Sequence, residues 1–235
     1  MSKIEVVAFD ADDTLWHTEH LFQDVQNRLY ELMSAYASQA DVEAHFHEME
    51  VRNVRLFGYG VKGFTLSMVE SAIEISNSQV SATDIHEIVM LGKSILDSPL
   101  DLFTGVETVL RDLGPDFRLF LITKGDVLDQ RNKIEKSQLE PYFEKTIVVQ
   151  EKDVETYQQV CVEHKINPQK MVMVGNSLKS DVLPILELGG YAVHIPYHVT
   201  AHFEKTDEPV DHPNFRRLDA MSDFAQTVRV FAGTS

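Results

Sequence analysis

The chain is 235 residues long with 43% hydrophobic side chains, enough for one large domain or a domain carrying a sizeable insertion. Its 21 Lys and Arg stand against 37 Asp and Glu, a net charge of −16, and no basic block offsets it, which excludes nucleic acid and anionic membrane as expected partners. A single cysteine, Cys161, excludes an intramolecular disulfide, and no apolar run approaches the ~20 residues of a membrane span.

Residues Ile4 to Phe9 predict a buried strand, since four of those six are β-branched or aromatic. Asp10, Asp12 and Asp13 follow at once. In an open α/β sheet, ligands bind outside the carboxyl ends of the strands, so these acids are expected to face a crevice. Two residues apart on extended chain, Asp10 and Asp12 share a side and suit paired roles or a shared cation.

From about Glu19 to Leu96 the pattern is helical. Leu21, Val25, Leu29 and Leu32 form one apolar face, and Phe64, Met68 and Ala72 another. Ser81 and Asp84 make a capping box ahead of Ile85, Ile88, Val89 and Leu91. Ser98-Pro99-Leu100 reads as a hinge. Beyond it strands and helices alternate. Thr104 and Glu107 are expected to box the start of a helix running to Leu113, where Gly114-Pro115 breaks it. Strands are expected over Phe117 to Ile122, Thr146 to Val149, Met171 to Val174 and Tyr191 to Ile195. Helices are expected over Val127 to Lys136, Val154 to His164 and Val182 to Leu188, with one more after about Asp219.

This order predicts an α/β fold, a doubly wound parallel sheet. The first strand must join that sheet, so the helical block is an insertion above the strand ends. The expected division is a core of residues 1–16 and 100–235 and a helical cap of residues 17–99. Cys161 keeps helical spacing with Val154 and Tyr157 and is expected in the core. The N-terminus shows no signal-peptide pattern, so a cytoplasmic location is expected.

Polar residues gather where the strands end: Thr123, Lys152 after Val149, and Gly175-Asn176-Ser177 with Asp181 five residues beyond Asn176. Each alone reads as a cap, a surface residue or an ordinary turn. Together they line one crevice.

In these residues the chain resembles the haloacid dehalogenase superfamily of hydrolases, most of whose members are phosphatases. Asp10-Ala11-Asp12-Asp13-Thr14 matches its first motif, Thr123 its Ser/Thr motif, Lys152 its basic motif, and Gly175-Asn176-Ser177-Leu178-Lys179-Ser180-Asp181 its last. The resemblance implies a Rossmann-like core with an inserted all-helical cap and magnesium-dependent hydrolysis of a small phosphorylated metabolite. With the chemistry of these groups it assigns Asp10 as nucleophile, Asp12 as general acid and base, Thr123 as a donor to the phosphoryl group and Lys152 as charge balance. It places magnesium among the Asp10 carboxylate, the Asp12 carbonyl and the Asn176 and Asp181 region. Asp12 favours phosphate over carbon–halogen chemistry, because the family's 2-haloacid dehalogenases lack this second aspartate. They and a silent binding module are the alternatives.

Two positions depart from the family. Asp13 stands where glycine is common, and a tight left-handed turn is expected to survive there. Asn176 replaces an acid, so weaker magnesium binding is expected than with aspartate. Lys124 and Lys152 are candidate substrate contacts beside Thr123. In the cap, Arg52, Arg55, Phe57-Gly58-Tyr59-Gly60 and Lys62 read as a glycine-flanked loop, with Arg55 and Tyr59 the candidates to grip a leaving group. Trp16, His17 and His20 are expected at the entrance. His194, Tyr197, His198 and His202 lie near the last strand, with Tyr197 and His198 candidates for the crevice rim.

Overall fold

The structure, a computed structural model, describes residues 3–199, 204, 206–207 and 211–233. The chain divides into two compact units, residues 1–17 with 100–235, and residues 18–99.

The first unit is built on a parallel sheet of six strands among the described residues: β1 (Val6–Phe9), β2 (Arg118–Lys124), β3 (Lys145–Val149), β4 (Met171–Gly175), β5 (Tyr191–His194) and β6 (Phe215–Arg217), in the order β3-β2-β1-β4-β5-β6. β1 therefore lies between β2 and β4, where the chain changes winding direction, and the crevice at the strand ends opens there. The period-2 alternation of β1 feeds two cores. Val7 and Phe9 pack with Val109, Leu110, Phe224 and Val228, while Val6 and Ala8 pack with Tyr157, Val160, Cys161 and Ile185. Cys161 is buried as expected, and burial pushes its thiol up to about 11, which makes it a small hydrophobe rather than a nucleophile.

Three local expectations need correction. Helix α5 (Val106–Leu113) starts from Gly105 in the left-handed region, φ 89°, with no side-chain cap, so Thr104 and Glu107 make no box. Glu107 instead takes hydrogen bonds from Arg111 and Tyr142. The helix expected from Val182 is preceded by a π-helical turn, Leu178–Val182, before a short α8 (Leu183–Glu187) opened by Pro184. β6 was not anticipated, because only Phe215 of its three residues is buried and it carries no apolar run. The closing helix α9 (Phe224–Ala232) is present.

The second unit holds α1 (Glu19–Met33), α2 (Gln39–Phe57), α3 (Val61–Ile75) and α4 (Ala82–Asp97). The anticipated faces form its core: Val25, Leu29, Phe64, Met68, Ala72 and Ile88 are buried, with Leu21, Leu32, Ile85 and Leu91 packed against them. Ser81 caps α4 by accepting from the Asp84 amide at 3.1 Å, and Ser38 caps α2 in the same way from Asp41 at 3.3 Å. Arg52, Arg55 and Phe57 are helical residues of α2 and Lys62 lies in the first turn of α3, so the expected loop shrinks to Gly58-Tyr59-Gly60, with φ of 75° and 115° at its glycines.

Candidate active site

Asp10, Thr123, Lys152 and Asn176 are delivered by the ends of strands or the residues just beyond them. β1 hands over to a turn that closes on itself, with the Leu15 amide donating to the Ala11 carbonyl at 2.8 Å and the Asp13 amide to the Trp16 carbonyl at 2.7 Å. Asp13 takes the left-handed conformation, φ 59°, as expected for an acid standing where glycine is common. That turn leaves Asp10 buried at the sheet centre. Thr14 Oγ1 donates to Asp10 Oδ2 at 3.0 Å.

Lys152, three residues beyond β3, is 4% exposed and bridges two buried acids. Its Nζ lies 2.5 Å from Asp10 Oδ1 and 2.7 Å from Asp181 Oδ1. The other Asp181 oxygen accepts from the Ser177 amide at 3.0 Å. Gly175 makes this possible, because a Cβ there would stand 2.1 Å from Asp181 Oδ2. Burial raises the Asp10 carboxyl to about 7, against the pull of Lys152 and with a further push from Asp181. Burial opposes the Lys152 charge, yet Asp10 and Asp181 hold its ammonium well above its ordinary value. Tyr157, buried beneath them, is pushed far up by desolvation and stays a neutral phenol.

Asp12 occupies a second nest of donors. Trp16 Nε1 meets Oδ1 at 2.7 Å, Gln130 Nε2 meets Oδ2 at 2.7 Å, and Lys133 Nζ lies 3.1 Å from both oxygens. Burial pushes the Asp12 carboxyl up, but Lys133, Gln130 and Trp16 outweigh it and hold the group below its usual value. Lys133 also reaches Asp129 Oδ2 at 3.6 Å. Two ammonium groups thus bridge two carboxylates each, an excess of two negative charges when all six are ionised.

The Asn176 amide lies 3.3 Å from both Asp10 Oδ2 and the Asp12 carbonyl. Turned one way its nitrogen donates to both; turned the other way three oxygens converge, the donor set of a hard cation. No group of three His, Cys, Asp or Glu side chains forms a metal site among the described residues, so a cation here needs the amide and the backbone oxygen. Asp181 stands behind this trio, both its oxygens engaged by Lys152 and Ser177.

Thr123, expected just past β2, is its penultimate residue and pairs with Val148. Its Oγ1 is buried and finds no hydrogen-bond partner among the described residues. Lys124 is turned to Glu204, Glu151 and Ser180, at 2.6, 3.2 and 3.0 Å. Arg55 is exposed on α2 and Tyr59 half-buried beyond it, both in the second unit. Trp16 is wholly buried, so it braces Asp12 and does not line an entrance. His17 stacks on Phe103 with ring centres 3.9 Å apart and meets Tyr197 Oη at 3.2 Å. The Tyr197 and His198 rings lie 4.1 Å apart, and His194 Nε2 is 3.0 Å from the Asn176 carbonyl. His202 lies outside the described residues.

Sequence reasoning passed over Gln130 and Lys133. Their signal was a polar pair at i, i+3 on the helix that follows Thr123, indistinguishable from a solvated face.

A buried acid at the switch point of a parallel sheet, a lysine joining it to a second acid and a third acid two residues along the chain from the first make up the candidate site. Residues 4–189 match the haloacid dehalogenase-like hydrolases, and the chain belongs to that family. It is similar in structure to a haloacid dehalogenase-like family hydrolase from Xanthomonas campestris, with 37% identity and a TM-score of 0.89 over 99% of this chain and 93% of that one. Among curated proteins it is 25% identical over 200 residues to the N-acylneuraminate-9-phosphatase of Homo sapiens, covering 80% of this chain and 81% of the relative. It is 21% identical over 203 residues to the glyceraldehyde 3-phosphate phosphatase of Pyrococcus furiosus, covering 84% and 82%.

Proposed function

We propose that the chain is a magnesium-dependent phosphatase of small phosphomonoesters that works through an aspartyl-phosphate on Asp10. The carrying observation is the pairing of Asp10, fixed by Thr14 and Lys152, with Asp12, gripped by donors two residues further on. Both curated relatives are named as phosphatases of small phosphorylated compounds, which supports the substrate class.

In the first step an Asp10 oxygen attacks phosphorus, the bond to the leaving oxygen breaks, and that oxygen takes a proton from Asp12. The donors around Asp12 stabilise the anion that remains. In the second, water attacks phosphorus, gives its proton to Asp12, and the bond to Asp10 breaks to release inorganic phosphate. Thr123 Oγ1, a buried donor without a partner among the described residues, is assigned to a phosphoryl oxygen. Lys152 holds Asp10 in place and offsets charge as it accumulates. Asp10 Oδ2, the Asp12 carbonyl and the Asn176 amide fit a magnesium ion, and the excess of two negative charges suits a divalent one. Once bound, it would supply Lewis-acid charge stabilisation to the phosphoryl group. The helical unit is assigned as the cap, with Arg55 and Tyr59 as its contribution to substrate choice, a reading that rests on the family resemblance.

The test is phosphate release from a panel of small phosphomonoesters with and without magnesium. Asp10→Asn is expected to lose at least about 10³-fold in kcat. Turnover that survives this substitution, or that ignores magnesium, would overturn the reading.

A further inference from the structure

Among the described residues, Trp16, Gln130 and Lys133 make four hydrogen bonds to the two oxygens of Asp12, and these groups are themselves held. Helix α6 (Val127–Ser137) is capped by Asp126, whose Oδ1 accepts from the Leu128 and Asp129 amides at 3.1 and 3.0 Å. The cap fixes the register of the first turns, and that register puts Gln130 and Lys133, three residues apart, on one face. Gln130 is buried, and its Nε2 donates to the Lys124 carbonyl at 3.2 Å as well as to Asp12. Gly125 leaves the room it needs, for a Cβ there would stand 2.8 Å from Gln130 Nε2. Lys133 is steadied from the other side by Asp129 at 3.6 Å. Trp16 completes the grip from a wholly buried ring.

An ordinary surface ion pair has one donor and a mobile partner. Here one carboxylate is confined from three directions, by a side chain of its own turn and two from a capped helix. A carboxylate that must pass a proton to one oxygen and take one from another works only within a narrow range of orientations.

We propose that Gln130 and Lys133 are positioning residues that hold the Asp12 carboxylate in line with the leaving oxygen and then with the attacking water. The inference rests on the phosphatase reading and on the acid and base role of Asp12 within it. Neither residue touches the substrate. They act through Asp12, so their removal penalises the reaction in proportion to its need for a proton.

The experiment compares kcat/KM for glycerol phosphate, whose alkoxide leaves poorly without a proton, with that for p-nitrophenyl phosphate, whose phenolate leaves unaided. The full-length chain is used, with magnesium. Lys133→Met and Gln130→Met are each expected to lose about 10²-fold on the alkyl ester and less than about threefold on the aryl ester. Lys133→Arg, which keeps two donors on Asp12, is expected to recover most of the alkyl activity. In an Asp12→Asn background neither methionine substitution is expected to lower alkyl activity further. Equal losses on both esters, or a further loss in the Asp12→Asn background, overturn the proposal while leaving the phosphatase reading intact. If Asp12→Asn itself leaves the ratio of the two esters unchanged, the acid role fails and the proposal falls with it. Gln130→Met replaces a neutral side chain of similar size and carries the test if removing the Lys133 charge impairs folding.

Discussion

The two units bury polar groups in opposite ways. In the α/β unit the buried charges are concentrated at the strand ends and shared: Lys152 serves Asp10 and Asp181, and Lys133 serves Asp12 and Asp129. In the helical unit the buried polar groups are scattered along the helices. Asn53 donates to Ser67 and Glu70 at 3.2 and 2.7 Å, and Glu50 is raised to about 7 by burial alone. The apolar cores of both units supply the stability. Charge clustered so expensively at the carboxyl ends of the strands makes that end of the sheet the candidate site.

The sharpest way to break that contrast is to remove the shared cation. Lys152→Met leaves Asp10 and Asp181 buried together without their ammonium, and a loss of about 3–5 kcal/mol is expected. Trp16, the chain's one tryptophan, lies in the α/β unit, so its fluorescence during urea unfolding reads that unit separately. Phosphate release should vanish as well. A variant as stable as the parent would mean that one acid is already neutral and that the charges are not shared as drawn.

The sheet was legible because its central strands are apolar runs, and Asp10, Thr123, Lys152 and Asn176 stood out because each interrupts or closely follows such a run. Helical faces were legible by their 3.6-residue period, as Val25, Leu29, Phe64, Met68 and Ala72 show. The failures also have physical causes. β6 offers a single buried residue to an edge, too little for a pattern. The turn at Leu178–Val182 and helix α8 share one apolar stretch, and periodicity does not separate a π turn from an α turn. Gln130 and Lys133 look solvated in sequence because their partner, Asp12, is 118 and 121 residues away.

A reversal of sign is expected in the helical unit. Glu50 is raised above its unfolded value, so its favourable contribution is full below about pH 4.5 and is lost as pH rises through about 7. Gln at this position stays neutral throughout. Glu50→Gln should therefore match the parent near pH 4 and exceed it by about 1–2 kcal/mol at pH 8.5, after allowance for partial exposure. Thermal unfolding followed by far-ultraviolet circular dichroism, dominated by helix, reads the change. A gain of equal size at both pH values would assign it to packing instead of charge.

The smallest effect tests the charge balance of the α/β unit itself. Asn176→Asp places a second carboxylate beside that of Asp10, about 3.3 Å from Asp10 Oδ2 and the neutral Asp12 carbonyl. Without a cation these groups repel one another, and the unit should melt a few degrees lower, the counterpart of about 1 kcal/mol. With magnesium the added charge becomes a ligand, and affinity should rise about tenfold. The substitution thus destabilises the metal-free protein and stabilises the loaded one, two shifts of opposite sign that calorimetric titration and paired melts read independently. Equal magnesium affinity in the two proteins would place the cation away from Asn176, and the convergence of oxygens at the end of β1 and β4 would then serve only to orient the amide.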